Sequence, residues 1–181
     1  TLRHARVLQL CPGVTSICKM LHAEQLVRWR CNQHMLAALT LPRKDKESEA
    51  EWVKRVEKDA GEHARDAAQS GIAIHASIEK SLRGEPYDSD HSEHVDAVQL
   101  VLDTHCGTDA KWLPEQGVTH EWGYGTMADC FSEFVGWLVD FKSADFGQED
   151  MKTKTFENHW MQLAATRNCL APELRCAIVY V

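Results

Sequence analysis

A carboxylate and an ammonium group stand two residues apart, at Asp140 and Lys142, in the otherwise apolar segment 137–142. On a β-strand alternate side chains share a face, so this carboxylate and this ammonium would lie side by side. Burying such a pair at the end of an apolar strand costs free energy, so the pattern indicates a role in chemistry. An ordinary surface ion pair is the alternative interpretation, because a three-residue pattern often occurs by chance.

A second carboxylate, Asp129, precedes this segment in the sequence. A tight hairpin through residues 132–136 would lay two strands side by side and bring Asp129 close to Asp140. Carboxylate oxygens suit Mg²⁺ or Mn²⁺, and the backbone carbonyl of Phe141 would be a further ligand. Lys142 would orient the attacking water and stabilise negative charge on a phosphate. We therefore predict a catalytic centre that contains Asp129, Asp140 and Lys142.

Two predicted helices carry further candidates. His75 and Glu79 are one helical turn apart, so they share a face on which His75 is a candidate metal ligand and Glu79 a candidate substrate-binding group. A histidine that is hydrogen-bonded to Glu79 is the alternative. Gln162, on a later helix, is a candidate for a hydrogen bond to a phosphate, a base or Lys142, with an ordinary surface glutamine as the alternative.

The first half of the chain has helical periodicity. Apolar residues recur at helical spacing, and proline and glycine interrupt them. A short helix after Gly13 would be capped by Thr15 or Ser16. The longer predicted helices cover residues 23–39, 51–82 and 95–102, with a break at 70–71 left open in the second.

The second half of the chain changes to short β-prone segments punctuated by glycine. The predicted strands cover residues 118–124, 127–131 and 137–141, followed by a helix over 155–168 and a strand near Ile178. The order of helices, three strands, a helix and a strand predicts a mixed α/β domain.

The composition sets limits on the partners. The 181 residues suit one domain with its own core. The net charge of −7 restricts any nucleic-acid contact to a local basic surface, for which residues 43–65 are the candidate; a solvated helix face is the alternative. The seven cysteines are irregularly spaced, which favours reduced thiols in an intracellular protein. No segment has the pattern of a membrane span, so we predict no membrane partner.

Taken together, these motifs resemble the RecB-like branch of the PD-(D/E)XK nucleases. Its members carry a G-x-x-x-H-x-x-x-E helix, a glycine shortly before an aspartate, a D-x-K strand and a helix that begins Q-L-A, in this order. The opening residues 12–17 are also similar to the P-x-V-T-x-I start of phage-encoded members and of the mitochondrial genome maintenance exonuclease, so the resemblance covers residues 12–181. The matching residues are Gly71, His75, Glu79, Gly125, Asp129, Asp140, Lys142, Gln162, Leu163 and Ala164.

The resemblance implies a fold and a ligand set. The fold would be a restriction-endonuclease-like core, with a central mixed β-sheet flanked by helices, in a single nuclease domain over residues 1–181. A helical half would cover about residues 12–105 and a catalytic core about residues 112–181. His75, Asp129 and Asp140 would surround the divalent ion. Glu121 is a further candidate ligand through a water molecule, or else an ordinary strand carboxylate.

The resemblance also implies a function. The expected activity is that of a metal-dependent exonuclease that hydrolyses phosphodiester bonds from DNA ends, with single-stranded DNA favoured. A catalytically inactive nucleic-acid-binding module on the same fold and a structure-specific endonuclease are the alternatives. An acidic chain would also benefit from a protein partner that recruits it to DNA. The compartment would be the cytoplasm of a bacterial host, with the mitochondrial matrix as the other option.

Two departures from the family pattern affect these expectations. The family tyrosine that follows Q-L-A-x is Thr166 here, so a role for that tyrosine does not transfer. Some relatives hold an iron–sulfur cluster through four cysteines, three of them near the C-terminus. Cys169 and Cys176 lack the required close spacing, so we predict no cluster.

Overall fold

The computed structural model describes residues 10–18, 24–143 and 157–181. The described elements are, in chain order, α1 (Val14–Cys18), α2 (Glu24–Thr40), α3 (Glu49–Leu82), a 3₁₀ turn (Ser89–His91), α4 (Ser92–His105), β1 (Leu113–His120), β2 (Tyr124–Ser132), β3 (Trp137–Lys142), α5 (Glu157–Leu170) and β4 (Arg175–Tyr180). No helix among these elements is long and apolar enough to span a membrane.

The chain divides into two compact units. Residues 1–20 and 74–181 cluster in the first unit, and residues 21–73 in the second. The boundary therefore falls within α3, whose last two turns belong with the sheet. The expectation from the resemblance was one domain over residues 1–181, with a helical half over about 12–105; helical periodicity alone does not show which core a helix faces.

The sheet of the first unit has the strand order β1-β2-β3-β4. The first three strands pair antiparallel, and β4 pairs parallel to β3 from Trp137↔Arg175 to Lys142↔Tyr180. A parallel pair needs a crossover connection, and α5 lies between β3 and β4 in the chain. The predicted mixed α/β architecture is confirmed.

Helices pack on both faces of the sheet at β3. On one face, Ile74 and Ile78 of α3 and residues of α4 pack against Val139 and Phe141. On the other face, Leu163 of α5 packs against Leu138 with other apolar residues. Because helices cover both faces, β3 has four consecutive buried residues, with the charged Asp140 among them.

The start of the chain also contacts the sheet. Gly13 forms a parallel bridge with Gly125, and the Gly125 N–H donates to the carbonyl of Pro12 at 3.0 Å. A Cβ atom on Gly125 would lie 3.0 Å from the Cys11 sulfur and 3.3 Å from the carbonyl of Val118. Glycine at 125 therefore allows the start of the chain to pack closely against β2, and a larger residue would require its neighbours to shift.

The second unit is helical and has a small core. Ala37 of α2 packs with Val56 and Ala60 of α3, and the Trp52 indole donates to the carbonyl of Leu41 at 2.7 Å. The start of α3 is stabilised by a capping box, in which the Ser48 N–H and hydroxyl both donate to the Glu51 carboxylate.

Several element boundaries differ from the predictions. The first helix begins at Val14, so Thr15 and Ser16 lie inside it, and α3 is continuous through residues 70–71. Strand β1 begins at Leu113 and ends at His120, whereas we predicted a strand over 118–124. The predicted start of the last helix at residue 155 lies outside the described residues.

Candidate metal centre

Asp129 lies where two strands separate. The β2–β3 ladder ends at the pair Cys130↔Val139, and Asp129 is the next residue on β2. Its carboxylate takes the place of a backbone partner, because Asp129 Oδ2 accepts the N–H of Phe141 at 2.8 Å. The N–H and C=O of a strand residue point to the same side, so the Phe141 carbonyl is also directed towards β2. This arrangement brings the predicted Asp129 and Phe141 together.

His75 reaches the same point from α3. Its Nδ1 atom lies 3.8 Å from Asp129 Oδ2, and its ring meets Phe141 edge-on with centroids 6.3 Å apart. Burial, and secondarily the charge of Lys142, lowers the pKa of His75 although Asp129 opposes this shift. The imidazole is therefore neutral at neutral pH, which is the form that binds a metal ion.

Glu115 completes a cluster that sequence reasoning missed. Its neighbours pair as Pro114↔Cys130 and Gln116↔Ala128, so Glu115 stands directly across from Asp129. One ligand atom from each of His75, Glu115 and Asp129 lies within 4.8 Å of the others. Burial and then the charges of Asp129 and Glu79 raise the pKa of Glu115. Two carboxylates are thus held together against their mutual repulsion.

The backbone of Glu115 is in the left-handed region, with φ 48°. This conformation costs a residue with a Cβ atom about 1–2 kcal/mol, and such strain tends to collect at functional sites. The strain and the raised pKa occur at the same residue, which lies opposite Asp129.

Asp140 and Lys142 form a pair next to this cluster. The Lys142 ammonium lies 2.5 Å from Asp140 Oδ2, and Asp140 is only 6% exposed. Burial and the charge of Asp129 raise the pKa of Asp140 to about 6, although Lys142 opposes this shift. The structure therefore places Asp140 within the electrostatic reach of Asp129 but outside the three-residue cluster, in which Glu115 stands where we predicted Asp140.

Two further groups surround this centre. Glu79, one turn after His75, forms an ion pair with Arg83 at 2.8 Å rather than with the histidine. His159 of α5 lies 3.3 Å from the hydroxyl of Tyr180 on β4. Burial and then the charge of Lys142 lower the pKa of His159 to about 4, so a neutral imidazole lies near Lys142. The sequence pattern did not single out His159.

The remaining predicted residues are placed differently. Glu121 lies exposed in the turn between β1 and β2, about five residue steps along the hairpin from Asp129, or roughly 17 Å. It is not brought together with the other ligands.

Gln162 is half-buried on α5, and its backbone carbonyl accepts a hydrogen bond from the hydroxyl of Thr166 at 2.9 Å. Thr166 is buried and also bonds Thr126 at 3.1 Å, so it links α5 to β2.

The donor set fits a divalent cation. Two carboxylates and a neutral imidazole face one point. Burial, and after it the negative charge of Asp129, raises the pKa values of Glu115 and Asp140. A cation at this point would offset that negative charge. Carboxylate oxygens suit both Mg²⁺ and Mn²⁺, and the imidazole nitrogen favours Mn²⁺, because Mg²⁺ prefers oxygen ligands throughout.

Comparison with known proteins found no protein-family model that matches this chain and no significantly similar curated protein. The geometry of the site is therefore what supports a function for this chain.

Proposed function

We propose that this chain is a divalent-metal-dependent nuclease that hydrolyses phosphodiester bonds of DNA. The observation that carries the proposal is the cluster of His75, Glu115 and Asp129 beside the buried pair of Asp140 and Lys142. A metal site alone would fit many functions. A cation-binding cluster with a lysine next to it fits a reaction in which charge builds up on a phosphate.

Each residue has a distinct part in this proposal. His75, Glu115 and Asp129 would hold Mn²⁺ or Mg²⁺, with the Phe141 carbonyl as a further ligand. The bound cation supplies positive charge that polarises the phosphate and acidifies water. Asp129 keeps its orientation because one carboxylate oxygen is fixed by the Phe141 N–H.

Lys142 would stabilise the negative charge of the phosphate. Asp140 holds the ammonium in place through the ion pair, and the nearby His159 is neutral, so it adds no positive charge beside Lys142. Asp140 would act mainly as a positioning residue and secondarily as a ligand. Glu79 and Gln162 remain candidates for contacts with substrate.

The proposal extends to the family. The mixed sheet with helices on both faces is consistent with a restriction-endonuclease-like core, and the order of the motifs supports the RecB-like branch. Within that branch the substrate would be DNA ends, with single-stranded DNA favoured. A partner that recruits the acidic chain to DNA is part of the same proposal.

The test is a cleavage assay. End-labelled single- and double-stranded DNA would be incubated with the protein and Mn²⁺, Mg²⁺ or chelator. Glu115→Gln keeps the size of the side chain and removes its charge, so we expect cleavage to fall by about 10²–10³-fold. Glu133→Gln is the matched control, because Glu133 is an exposed carboxylate in the β2–β3 turn. Circular single-stranded DNA distinguishes an exonuclease from an endonuclease.

Two results would overturn the proposal. The first is an absence of metal-dependent cleavage of any of these substrates by the unmodified protein, which would favour an inactive binding module. The second is an equal rate for Glu115→Gln and Glu133→Gln, which would show that the cluster takes no part in the reaction.

A further inference from the structure

Three aromatic rings stand together at the turn between β1 and β2, which we call the aromatic tip: His120, Trp122 and Tyr124. The rings of His120 and Tyr124 are stacked, with centroids 4.9 Å apart and planes 5° from parallel. The ring of Trp122 meets His120 edge-on at 5.0 Å. Trp122 is 79% exposed, so nearly all of a large apolar ring faces solvent.

The backbone holds these rings in place. His120 and Tyr124 are the last paired residues of the β1–β2 ladder, and stacked rings on such a pair stabilise each other. The backbone N–H of Trp122 donates to His120 Nδ1 at 3.2 Å, and Gly123 adopts a φ of 81° that closes the turn. The hydrogen-bonded turn and the edge-on contact with His120 therefore orient the Trp122 ring, which reduces the entropy lost when a ligand stacks on it.

The charge of the aromatic tip limits what it can bind. Residues 120–124 include one carboxylate, Glu121, and no lysine or arginine. Attraction to phosphate groups therefore cannot be the main contribution of this turn. Flat aromatic rings suit another flat surface, and every nucleobase offers one.

We propose that the aromatic tip is a base-stacking site, on which Trp122 stacks with an unpaired base of a single-stranded nucleic acid. This inference rests on the proposed function, which supplies the nucleic acid. Along β2, Asp129 lies five residues after Tyr124, which corresponds to roughly 17 Å. This distance equals about five stacked nucleotides at about 3.4 Å each. The aromatic tip would thus hold the nucleic acid several nucleotides away from the cluster of His75, Glu115 and Asp129.

The test measures binding without cleavage. A fluorescein-labelled oligothymidine would be titrated with protein in chelator, and its fluorescence anisotropy followed. Base–aromatic stacking contributes about 1–3 kcal/mol per base, so Trp122→Ala should weaken binding about tenfold. Trp122→Phe keeps a flat ring and should lose much less. Because Trp122 is exposed, these variants should keep the wild-type circular dichroism spectrum.

The matched control is Phe134→Ala. Phe134 is also a highly exposed aromatic residue, 71%, but it lies in the β2–β3 turn at the other end of β2. We expect its removal to leave the affinity unchanged. Equal affinities for Trp122→Ala and wild type, equal losses for Trp122→Ala and Phe134→Ala, or no binding by the wild type would each overturn the inference.

Two further measurements sharpen the result. The loss in Trp122→Ala should be the same at low and high salt, because stacking releases few counterions; a loss that disappears at high salt would indicate phosphate contacts and overturn the inference. The inference would also be overturned if Trp122→Ala reduced the binding of the protein to lipid vesicles and left its affinity for the oligonucleotide unchanged.

The two proposals fail in different ways. If the protein binds the oligonucleotide through Trp122 but does not cleave DNA with Mn²⁺, the stacking site is supported and the nuclease activity is contradicted. If the protein cleaves DNA and Trp122→Ala binds the oligonucleotide as tightly as wild type, the nuclease activity is supported and the stacking site is contradicted.

Discussion

Asp140 with Lys142 in the sheet unit and Glu47 with Arg55 in the helical unit are both carboxylate–cation pairs, but their electrostatics are opposite. Two hydrogen bonds from Arg55, at 2.9 and 3.0 Å, and one from the Lys44 N–H fix the Glu47 carboxylate. These contacts lower the pKa of Glu47 to about 2. Asp140 has one cation, deeper burial and a neighbouring Asp129, and its pKa is raised to about 6.

The difference shows what each pair does for the fold. The folded state favours the charged form of Glu47 and the neutral form of Asp140 relative to the unfolded chain. The helical unit therefore gains stability from its ion pair, whereas at neutral pH the sheet unit carries a carboxylate that opposes folding. Crowded carboxylates that destabilise a fold are understandable if they serve a ligand, and the cluster of His75, Glu115 and Asp129, which could hold a metal ion, lies next to this pair.

The largest effect on stability is expected for Lys142→Met. Removal of the cation leaves Asp140 buried without its partner, which should lower the free energy of unfolding by about 3 kcal/mol at pH 8. At pH 5 the carboxylate is protonated in the folded state, so the loss should be much smaller. Urea unfolding at the two pH values measures both, with the exposed Lys111→Met as control. Equal losses at pH 5 and pH 8 would show that the pair is not what the substitution breaks.

The next effect is that of the metal itself. Burial, and after it the charges of Asp129 and Glu79, raises the pKa of Glu115, so a Mn²⁺ ion bound by His75, Glu115 and Asp129 would offset both the lost solvation and the repulsion. The free energy of unfolding should rise by about 2.7 kcal/mol when the ion is present at about 100 times its Kd. Thermal unfolding with and without Mn²⁺ measures this gain. Glu115→Gln should lose it and Glu133→Gln should keep it; the same gain in both variants would place the ion elsewhere.

A smaller gain is expected for Asp140→Asn. Folding raises the pKa of Asp140 from 3.8 to about 6, so its stabilising protonated form is complete below pH 4 and lost as the pH rises through 6. At pH 7 the asparagine should therefore stabilise the metal-free protein by about 1–2 kcal/mol, after allowance for the partner that Lys142 loses. The gain should vanish at pH 4. A destabilised Asp140→Asn at pH 7 would contradict the comparison.

The smallest effect is expected for Glu47→Gln, with the opposite pH dependence. Because folding lowers the pKa of Glu47 from 4.5 to about 2, its contribution is present above pH 4.5 and lost as the pH falls towards 2. The substitution should slightly destabilise the helical unit at pH 7 and have a much smaller effect at pH 2, where about half of the Glu47 carboxylates are protonated in the folded state. Hydrogen exchange of the amides in α2 and the first part of α3 reports on this unit directly. A destabilisation as large at pH 2 as at pH 7 would mean that lost packing, and not lost charge, is responsible.

The sequence predicted β3 and its chemistry because local signals were strong there. Residues 137–142 form an apolar run with two charges, and a strand buried on both faces produces that pattern. The mixed α/β class followed from the order of the elements, whereas the mixed sheet was expected from the family resemblance. The position of Asp129 beside β3 could be predicted because a hairpin is a local structure. The position of His75 beside Asp129 was expected only from the family resemblance, since the packing of a helix on a sheet is not local.

Glu115 could not be predicted in the same way. The residues around it, Pro114 and Gly117, are unusual in strands and hide the alternation of β1. The prediction of a strand over 118–124 also put the turn in the wrong place. With the turn at residues 121–123, the β1–β2 pairing places residue 115 opposite Asp129. The missing information was therefore which residue of β1 lies opposite which residue of β2.

The left-handed backbone at Glu115 has a consequence for how this position would change under selection. A glycine would adopt that conformation without strain and would remove a crowded carboxylate, so two separate gains in stability favour the loss of Glu115. In a library selected only for folded protein, Glu115→Gly should become enriched. In a library selected for the activity of the site, glutamate should be retained.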